Sequence, residues 1–235
     1  MAIWRSLLLI YPEIDVYFGQ KDDRHFTHIL SEDEIQDALN SFEKFPGLVE
    51  ELTSGRAGVT ANVERVERCL SSVTPMGKEM YWPSPDDTRE ELDDFAVPGT
   101  YDSIFVFWPQ QNRKAQSSVP CAGWGLGMRA SNWSNDATYA TVGNADRRVW
   151  EVPRRGEVWL HEWLHGVCAF FAGLGHVMPD GDADGGARHG YLQSPTTGWT
   201  DYYRDLMNGR VIESGHSTGI PPDAWAEKPD YKSLG

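Results

Sequence analysis

The two histidines at positions 161 and 165 are the residues of this sequence that most directly suggest chemistry. They belong to the segment His161-Glu162-Trp163-Leu164-His165, and residues four apart lie on one face of a helix. Their imidazoles can therefore reach one tetrahedral zinc ion, which needs a third protein ligand and a water molecule. Glu162 is turned around the helix towards that water and can take its proton, because the metal lowers the pKa of the water.

A pair of core histidines, satisfied by hydrogen bonds, is the alternative interpretation. The chain has 7 histidines among 235 residues, so His-Glu-x-x-His arises by chance in roughly one such sequence in a hundred. The surrounding segment favours the metal, because residues 156–172 are predicted to form a helix that is apolar nearly all round. Polar side chains in such a helix cost free energy unless they are satisfied, and a metal satisfies them.

The segment from His161 to His165 resembles the zinc-binding helix of the zincin metallopeptidases. The strands predicted before it and Met207 after it resemble the metzincin-like branch of that clan. The resemblance implies a zinc-dependent endopeptidase with a zincin-like fold and a methionine turn at Met207 beneath the metal. The third histidine of the metzincin signature is missing, since Phe171 occupies its position.

The resemblance also implies a strand before the helix that holds the peptide substrate in extended form. The segment from Ala137 to Val142 is rich in β-branched and aromatic residues, which are typical of strands. Substrate binding is accordingly assigned to its central residues, Tyr139, Ala140 and Thr141.

The third metal ligand must come from the chain that follows the helix. If the helix continues to Ala172, it ends roughly 10 Å beyond the level of the metal, and an extended chain returns at about 3.3 Å per residue. Asp182 is favoured because it lies in the middle of the window that can return, and carboxylate is an accepted zinc ligand. His189 is the alternative, and His176 follows the helix too closely.

Calcium is a second candidate ion at the same segment. Residues 180–185 have aspartates at alternate positions and a glycine at the sixth, which matches the start of an EF-hand loop. The twelfth position is Tyr191 instead of glutamate. If calcium binds here, His189 becomes the expected third zinc ligand.

Two residues further along the chain are candidates for supporting roles. Tyr202 or Tyr203 can present its phenol to a tetrahedral oxyanion, and Glu162 and Tyr203 are the predicted catalytic residues. Met207 precedes Asn208-Gly209, a strong turn signal. That signal fits a methionine turn, although a core methionine gives the same pattern.

Hydrophobic patterning predicts the elements that must position these residues. Residues 101–108 form the most apolar strand, and Val59 begins the alternation of a second one. Ser31 and Glu34 form a capping-box pattern at the start of a helix. We predict an α+β fold, a zincin-like mixed sheet with a central active-site helix and an irregular C-terminal lobe.

One domain over residues 1–235 is expected, with an N-terminal α/β layer over about 1–172 and a C-terminal lobe over about 173–235. The chain has 21 basic and 35 acidic residues and a formal net charge of −14. Phosphate backbones and anionic membranes are repelled by such a surface, so nucleic acid and membrane are not expected as partners.

Two classes of function therefore compete at this stage. The first is an extracellular, monomeric zinc endopeptidase acting on a protein or peptide substrate, in which Glu162 activates the metal-bound water. The second is a non-catalytic module, stabilised by a metal, that binds carbohydrate or protein through some of its 10 tryptophans and 9 tyrosines. Glu162 favours the enzyme, because a structural zinc needs no carboxylate beside an open coordination position.

Overall fold

The computed structural model describes residues 1–19, 23–145, 150 and 153–228. The helices are α1 (Glu32–Phe42), α2 (Phe45–Leu52), α3 (Arg89–Phe95), α4 (Glu157–Gly173) and α5 (Thr200–Leu206). The strands are β1 (Ala2–Ile10), β2 (Glu13–Phe18), β3 (Arg24–Ile29), β4 (Ala57–Arg65), β5 (Thr74–Pro75), β6 (Tyr81–Trp82), β7 (Ser103–Trp108), β8 (Gln111–Asn112), β9 (Ser117–Ser118), β10 (Gly125–Met128), β11 (Thr138–Gly143), β12 (Val211–Glu213) and β13 (His216–Thr218). Short 3₁₀ turns include Asp182–Asp184, Ala187–His189 and Pro222–Ala226.

A mixed five-stranded sheet lies at the centre, with the strand order β10-β11-β7-β1-β4. The pairs β4–β1, β1–β7 and β7–β11 are parallel, whereas β10 runs antiparallel to β11 and forms one edge. In register, Ile104 of β7 pairs with Leu7 on one side and Tyr139 on the other. The prediction of α and β elements around a mixed sheet is confirmed at this level.

The sheet separates two hydrophobic cores, because side chains alternate between its faces. Along β1, Leu8 and Ile10 pack with the core formed by α1, α2 and α4, whereas Leu7 and Leu9 pack with the core that contains Leu92 of α3. All six residues of β7 and of β11 are buried. A strand that is covered on both faces has a continuous apolar sequence, and residues 101–108 show this pattern.

Two helices begin where the sequence predicts. The Ser31 hydroxyl accepts a hydrogen bond from the backbone of Glu34, and the Glu34 carboxylate accepts one from the backbone of Ser31, so the capping box of α1 is confirmed. Helix α4 covers Glu157–Gly173, one residue later at each end than predicted. It follows Gly156, whose φ of +88° suits glycine.

Helix α4 packs against β10, β11 and α2 and belongs to the larger core. The ring of Trp163 lies 5.3 Å from that of Trp4 and 5.9 Å from that of Trp225. Trp225 comes from the turn Pro222–Ala226, so the C-terminal part of the chain packs on the same helix as the first strand. No helix in the described ranges has the length and hydropathy needed to cross a membrane.

Candidate metal centre

Helix α4 presents its two histidines to a cavity of about 990 Å³. The Nε2 atoms of His161 and His165 lie 3.2 Å apart, as expected for residues one turn apart on one helical face. Both side chains are about three-quarters buried, at 25% and 20% exposure. The predicted pairing of these two imidazoles on one face of a helix is confirmed.

Asp184 completes a group of three ligand atoms. One carboxylate oxygen lies 3.4 Å from Nε2 of His161 and the other lies 3.8 Å from Nε2 of His165. Ligands about 2.0–2.1 Å from a tetrahedral zinc are separated by about 3.3 Å. When one atom is taken from each of His161, His165 and Asp184, the three atoms all lie within 4.8 Å of one another, so this group could hold a metal ion after small side-chain adjustments.

Asp182 as third ligand stays a prediction that this geometry does not favour, because its carboxylate lies behind His165 and Asp184 lies in the group of possible ligands. The Oδ1 atom of Asp182 is 2.5 Å from Nδ1 of His165, the nitrogen that faces away from Nε2 of His161. Asp182 and Asp184 are two positions apart in a 3₁₀ turn of three residues per turn, so their side chains point in different directions. Asp182 is thus placed to orient the ring of His165, as carboxylates commonly do behind metal-bound histidines.

The alternative ligand, His189, is directed elsewhere. Its Nε2 lies 3.0 Å from the backbone oxygen of Asp180 and 4.0 Å from the Glu213 carboxylate. His176 lies near Glu227, with 3.5 Å between Nε2 and Oε1. Neither belongs to the group of possible ligands, and His176 lies outside it, as the length of the helix predicts.

Tyr203 contacts the ring of His161 on the side away from His165. Its hydroxyl lies 2.8 Å from Nδ1 of His161, and its side chain is buried in α5. Each histidine therefore has a partner for Nδ1, which leaves both Nε2 atoms towards the cavity. When Nε2 of His161 is left to bind a metal, Nδ1 carries the ring proton and donates it to the phenol oxygen, so this contact positions the ring. The phenol proton is then still available, and the oxyanion role of Tyr203 stays a prediction.

Burial and these partners set the charge of the site. Burial and the neighbouring His165 lower the pKa of His161, so this ring favours the neutral form that binds metal. Burial opposes the charged form of His165, but the hydrogen bond and charge of Asp182 outweigh it and raise the pKa of His165. Burial also raises the pKa of the Glu162 carboxyl to about 8.

Glu162 lines the cavity beside the histidines and rests on the edge strand β10. A Cβ atom added to Gly125 would lie 2.3 Å from the carboxyl carbon of Glu162, and one added to Gly127 would lie 2.0 Å from its backbone oxygen. A Cβ on Gly166 of α4 would come within 2.5 Å of the Met128 backbone oxygen. The alternating glycines of β10 therefore allow helix α4 to contact the strand closely.

The predicted substrate strand is buried in the interior of the sheet. Tyr139, Ala140 and Thr141 are at most 3% exposed, and β11 is paired with β7 on one side and β10 on the other. A strand with both edges paired cannot add a peptide strand, so this assignment is wrong. Within the described residues, the free edge next to the cavity belongs to Gly125–Met128.

The aspartate segment does not gather its carboxylates as a calcium loop does. Asp180 pairs with Arg188 at 2.8 Å, Asp182 with His165, and Asp184 with the two Nε2 atoms. Calcium needs six to eight oxygens around one point. Across the described part of the chain, His161, His165 and Asp184 form the one group of ligand-type side chains close enough together to hold a metal ion.

Met207 is fully buried in the core that contains α4. Its backbone oxygen accepts a hydrogen bond from the Trp225 indole at 2.9 Å, and its backbone N–H donates to Tyr203 at 2.8 Å. The residue therefore fastens α5 to the C-terminal turn. A methionine turn directly beneath the metal stays a prediction.

Comparison with known proteins gives no relative from which residues can be transferred: no family model matches the chain, and no curated protein matches it. The site must therefore be judged from its own geometry. Two parts of the candidate site were not predicted from the sequence, namely Asp184 in the group of possible ligands and β10 as edge strand. The alternating glycines at 125 and 127 were a usable signal for the second, because glycines in a strand often mark a close approach of another element.

Proposed function

We propose that this protein is a zinc-dependent endopeptidase with a zincin-like fold. One observation supports the proposal above the others: Nε2 of His161, Nε2 of His165 and the Asp184 carboxylate converge on the cavity that Glu162 also lines. Two imidazoles and one carboxylate are a known ligand set of catalytic zinc sites, which keep the fourth position open. Asp182 and Tyr203 would fix the rings of the two histidines.

A zinc ion held by these three residues would supply Lewis acidity, which polarises a carbonyl and acidifies water. The protein's own contribution would come from Glu162. Its carboxylate would accept a proton from the attacking water and return it to the nitrogen of the leaving amine. Gly125 would keep this carboxylate in place, since no side chain separates the strand from it.

The edge strand supports peptide as the substrate. Gly125–Met128 has an unpaired edge in the described structure, and Gly125 itself lines the cavity. An extended peptide can add to such an edge through backbone hydrogen bonds. Pairing of this kind is independent of the peptide's ends, which favours cleavage within a chain.

A metal-stabilised binding module is the second candidate. Trp124 and Trp199 both belong to the cavity wall, and an aromatic ring offers a flat apolar face to a sugar or peptide. A binding module would need His161, His165 and Asp184 to hold the metal, but it would not need the carboxylate of Glu162.

Replacement of Glu162 by glutamine separates the two candidates. Glu162→Gln keeps the size of the side chain but removes the base, so hydrolysis of an unstructured protein substrate should fall by about 10²–10⁴-fold. Zinc content, measured by elemental analysis, should remain near that of the wild type. Glu50→Gln, at an exposed position of α2, is the matched control and should change neither quantity. Equal cleavage by wild type and Glu162→Gln would overturn the enzyme proposal and leave the binding module.

A further inference from the structure

The described wall of the cavity is acidic. Among the residues that line it, Glu157, Glu162 and Asp184 are acidic, and none of the described lining residues is lysine or arginine. Asp184 belongs to the ligand group and Glu162 is the proposed base. Glu157 is the acidic residue that neither role explains.

The carboxylate of Glu157 is only half satisfied. Its Oε1 accepts the backbone N–H of Trp199 at 2.7 Å, whereas its Oε2 is buried and has no hydrogen-bond partner among the described residues. The whole residue is 9% exposed. The nearby Arg154 pairs instead with Glu51. The unpaired Oε2 lies against Gly198, where an added Cβ would be 1.9 Å from it. A buried carboxylate with an unpaired oxygen costs free energy, and a cation in the cavity that Glu157 lines would lower that cost through its charge.

The position of Glu157 along α4 indicates where such a cation would lie. Glu157 is one turn before His161 on the same helical face, a rise of about 6 Å. An extended peptide advances about 3.3 Å per residue. A cation at Glu157 would therefore lie within about two residues of the bond that is cut at the metal.

We propose that Glu157 receives an ammonium or guanidinium group of the substrate, so that the cavity selects peptides with a positive charge next to the cut bond. The cation is supplied by a lysine or arginine side chain or by the α-ammonium group of the first residue. This inference rests on the proposed peptidase function for the identity of the ligand. The net charge of −14 further favours the approach of cationic peptides.

The competing role for Glu157 is structural: its carboxylate holds the loop at Trp199. That role needs only the one oxygen that accepts the Trp199 N–H. Glu157→Gln retains an amide oxygen that can accept the Trp199 N–H, together with the length of the side chain, but loses the charge. A merely structural role therefore predicts that Glu157→Gln behaves as the wild type. A role in cation binding predicts a loss confined to charged ligands.

Calorimetric binding of short peptides tests the inference without relying on catalysis. Glu162→Gln protein, which should not cut the ligand, is titrated with acetylated hexapeptides that carry a single lysine or a single norleucine at each position in turn. The best lysine peptide should bind about 10–100-fold more tightly than its norleucine counterpart, the range expected for a hydrogen bond to a charged group. Adding Glu157→Gln should reduce that ratio to below about threefold, and adding Glu50→Gln should leave it unchanged.

The outcomes distinguish the two proposals. Equal binding of lysine and norleucine peptides, or a preference that survives Glu157→Gln, overturns the role of Glu157. A norleucine peptide with a free N-terminus that binds as tightly as the lysine peptides identifies the α-ammonium group as the cation. If no Glu162-dependent cleavage is found but the lysine preference depends on Glu157, the peptidase proposal fails and the cation site stands.

Discussion

Two clusters of buried polar side chains lie in the two cores of this protein, and they differ in how their charges are satisfied. In the smaller core, Arg68 donates to both carboxylate oxygens of Glu91 at 2.7 Å and to the Asp87 backbone oxygen at 2.8 Å. The Tyr11 hydroxyl donates to the same carboxylate. Each charged group in this cluster has its partners within the chain, so its role is structural.

The cluster on α4 differs because its polar atoms line a cavity. Asp182 and Tyr203 occupy the Nδ1 atoms of the histidines, whereas the Nε2 atoms and Asp184 face one another across the cavity. Glu157 repeats this pattern, with one oxygen bonded and the other unpaired. Burial alone therefore does not separate the two clusters; what distinguishes the second is that its polar side chains line a shared cavity, which makes it the candidate functional region.

The largest effect is expected when the proposed third ligand is removed from the cluster on α4. Asp184→Ala removes a ligand and should weaken zinc binding by more than about 10²-fold, whereas Asp182→Ala removes only the partner of His165 and should cost about 10–100-fold. Competition with a chromophoric chelator measures both. Asp180→Ala, whose carboxylate pairs with exposed Arg188, serves as the control from the same segment. If Asp182→Ala is the more damaging substitution, the assignment of Asp184 as ligand is incorrect.

Removing Arg68 from the cluster in the smaller core should lower stability and leave the candidate metal centre intact. Arg68→Met leaves the Glu91 carboxylate, 6% exposed, without its cation, and should lower the free energy of unfolding by about 3–5 kcal/mol. Arg65→Met removes an ion pair with Glu32 whose side chains are 51% and 73% exposed, and should leave the free energy of unfolding nearly unchanged, because solvent screens exposed ion pairs. Urea denaturation measures both. Loss of zinc affinity in folded Arg68→Met protein would contradict the separation of the two clusters.

A smaller effect is expected where β10 touches the proposed base. The Cβ of Gly125→Ala would meet the side chain of Glu162 and no backbone atom among its three nearest contacts, so the fold should survive while the carboxylate moves. A displacement of about 1 Å can cost about 10²-fold in rate, and zinc affinity should not change. Gly173→Ala, with nothing within 4 Å of the added Cβ, is the control. Full peptidase activity in Gly125→Ala would show that the glycine does not position Glu162.

Local patterns in the sequence determined the elements and the first half of the site. The spacing of His161 and His165 follows from the helical period alone, and the capping box at Ser31 needs no partner beyond its own turn. Strand β7 and helix α4 were recognisable because burial on both faces leaves long apolar runs. These features depend on residues close together in the chain, which a sequence displays directly.

The tertiary structure decided what depends on distant contacts. Asp182 and Asp184 have the same chemistry and nearly the same position in the chain, and the turn that separates them is fixed by remote partners. The Tyr202 hydroxyl donates to the Asp182 backbone oxygen, and the Asp180 N–H donates to Glu213. Likewise, the sequence shows that β11 is a strand but not that β10 covers its edge. The order in which strands pair and the direction of side chains in a loop depend on contacts between residues far apart in the chain. The local periodicity of the sequence therefore does not predict them.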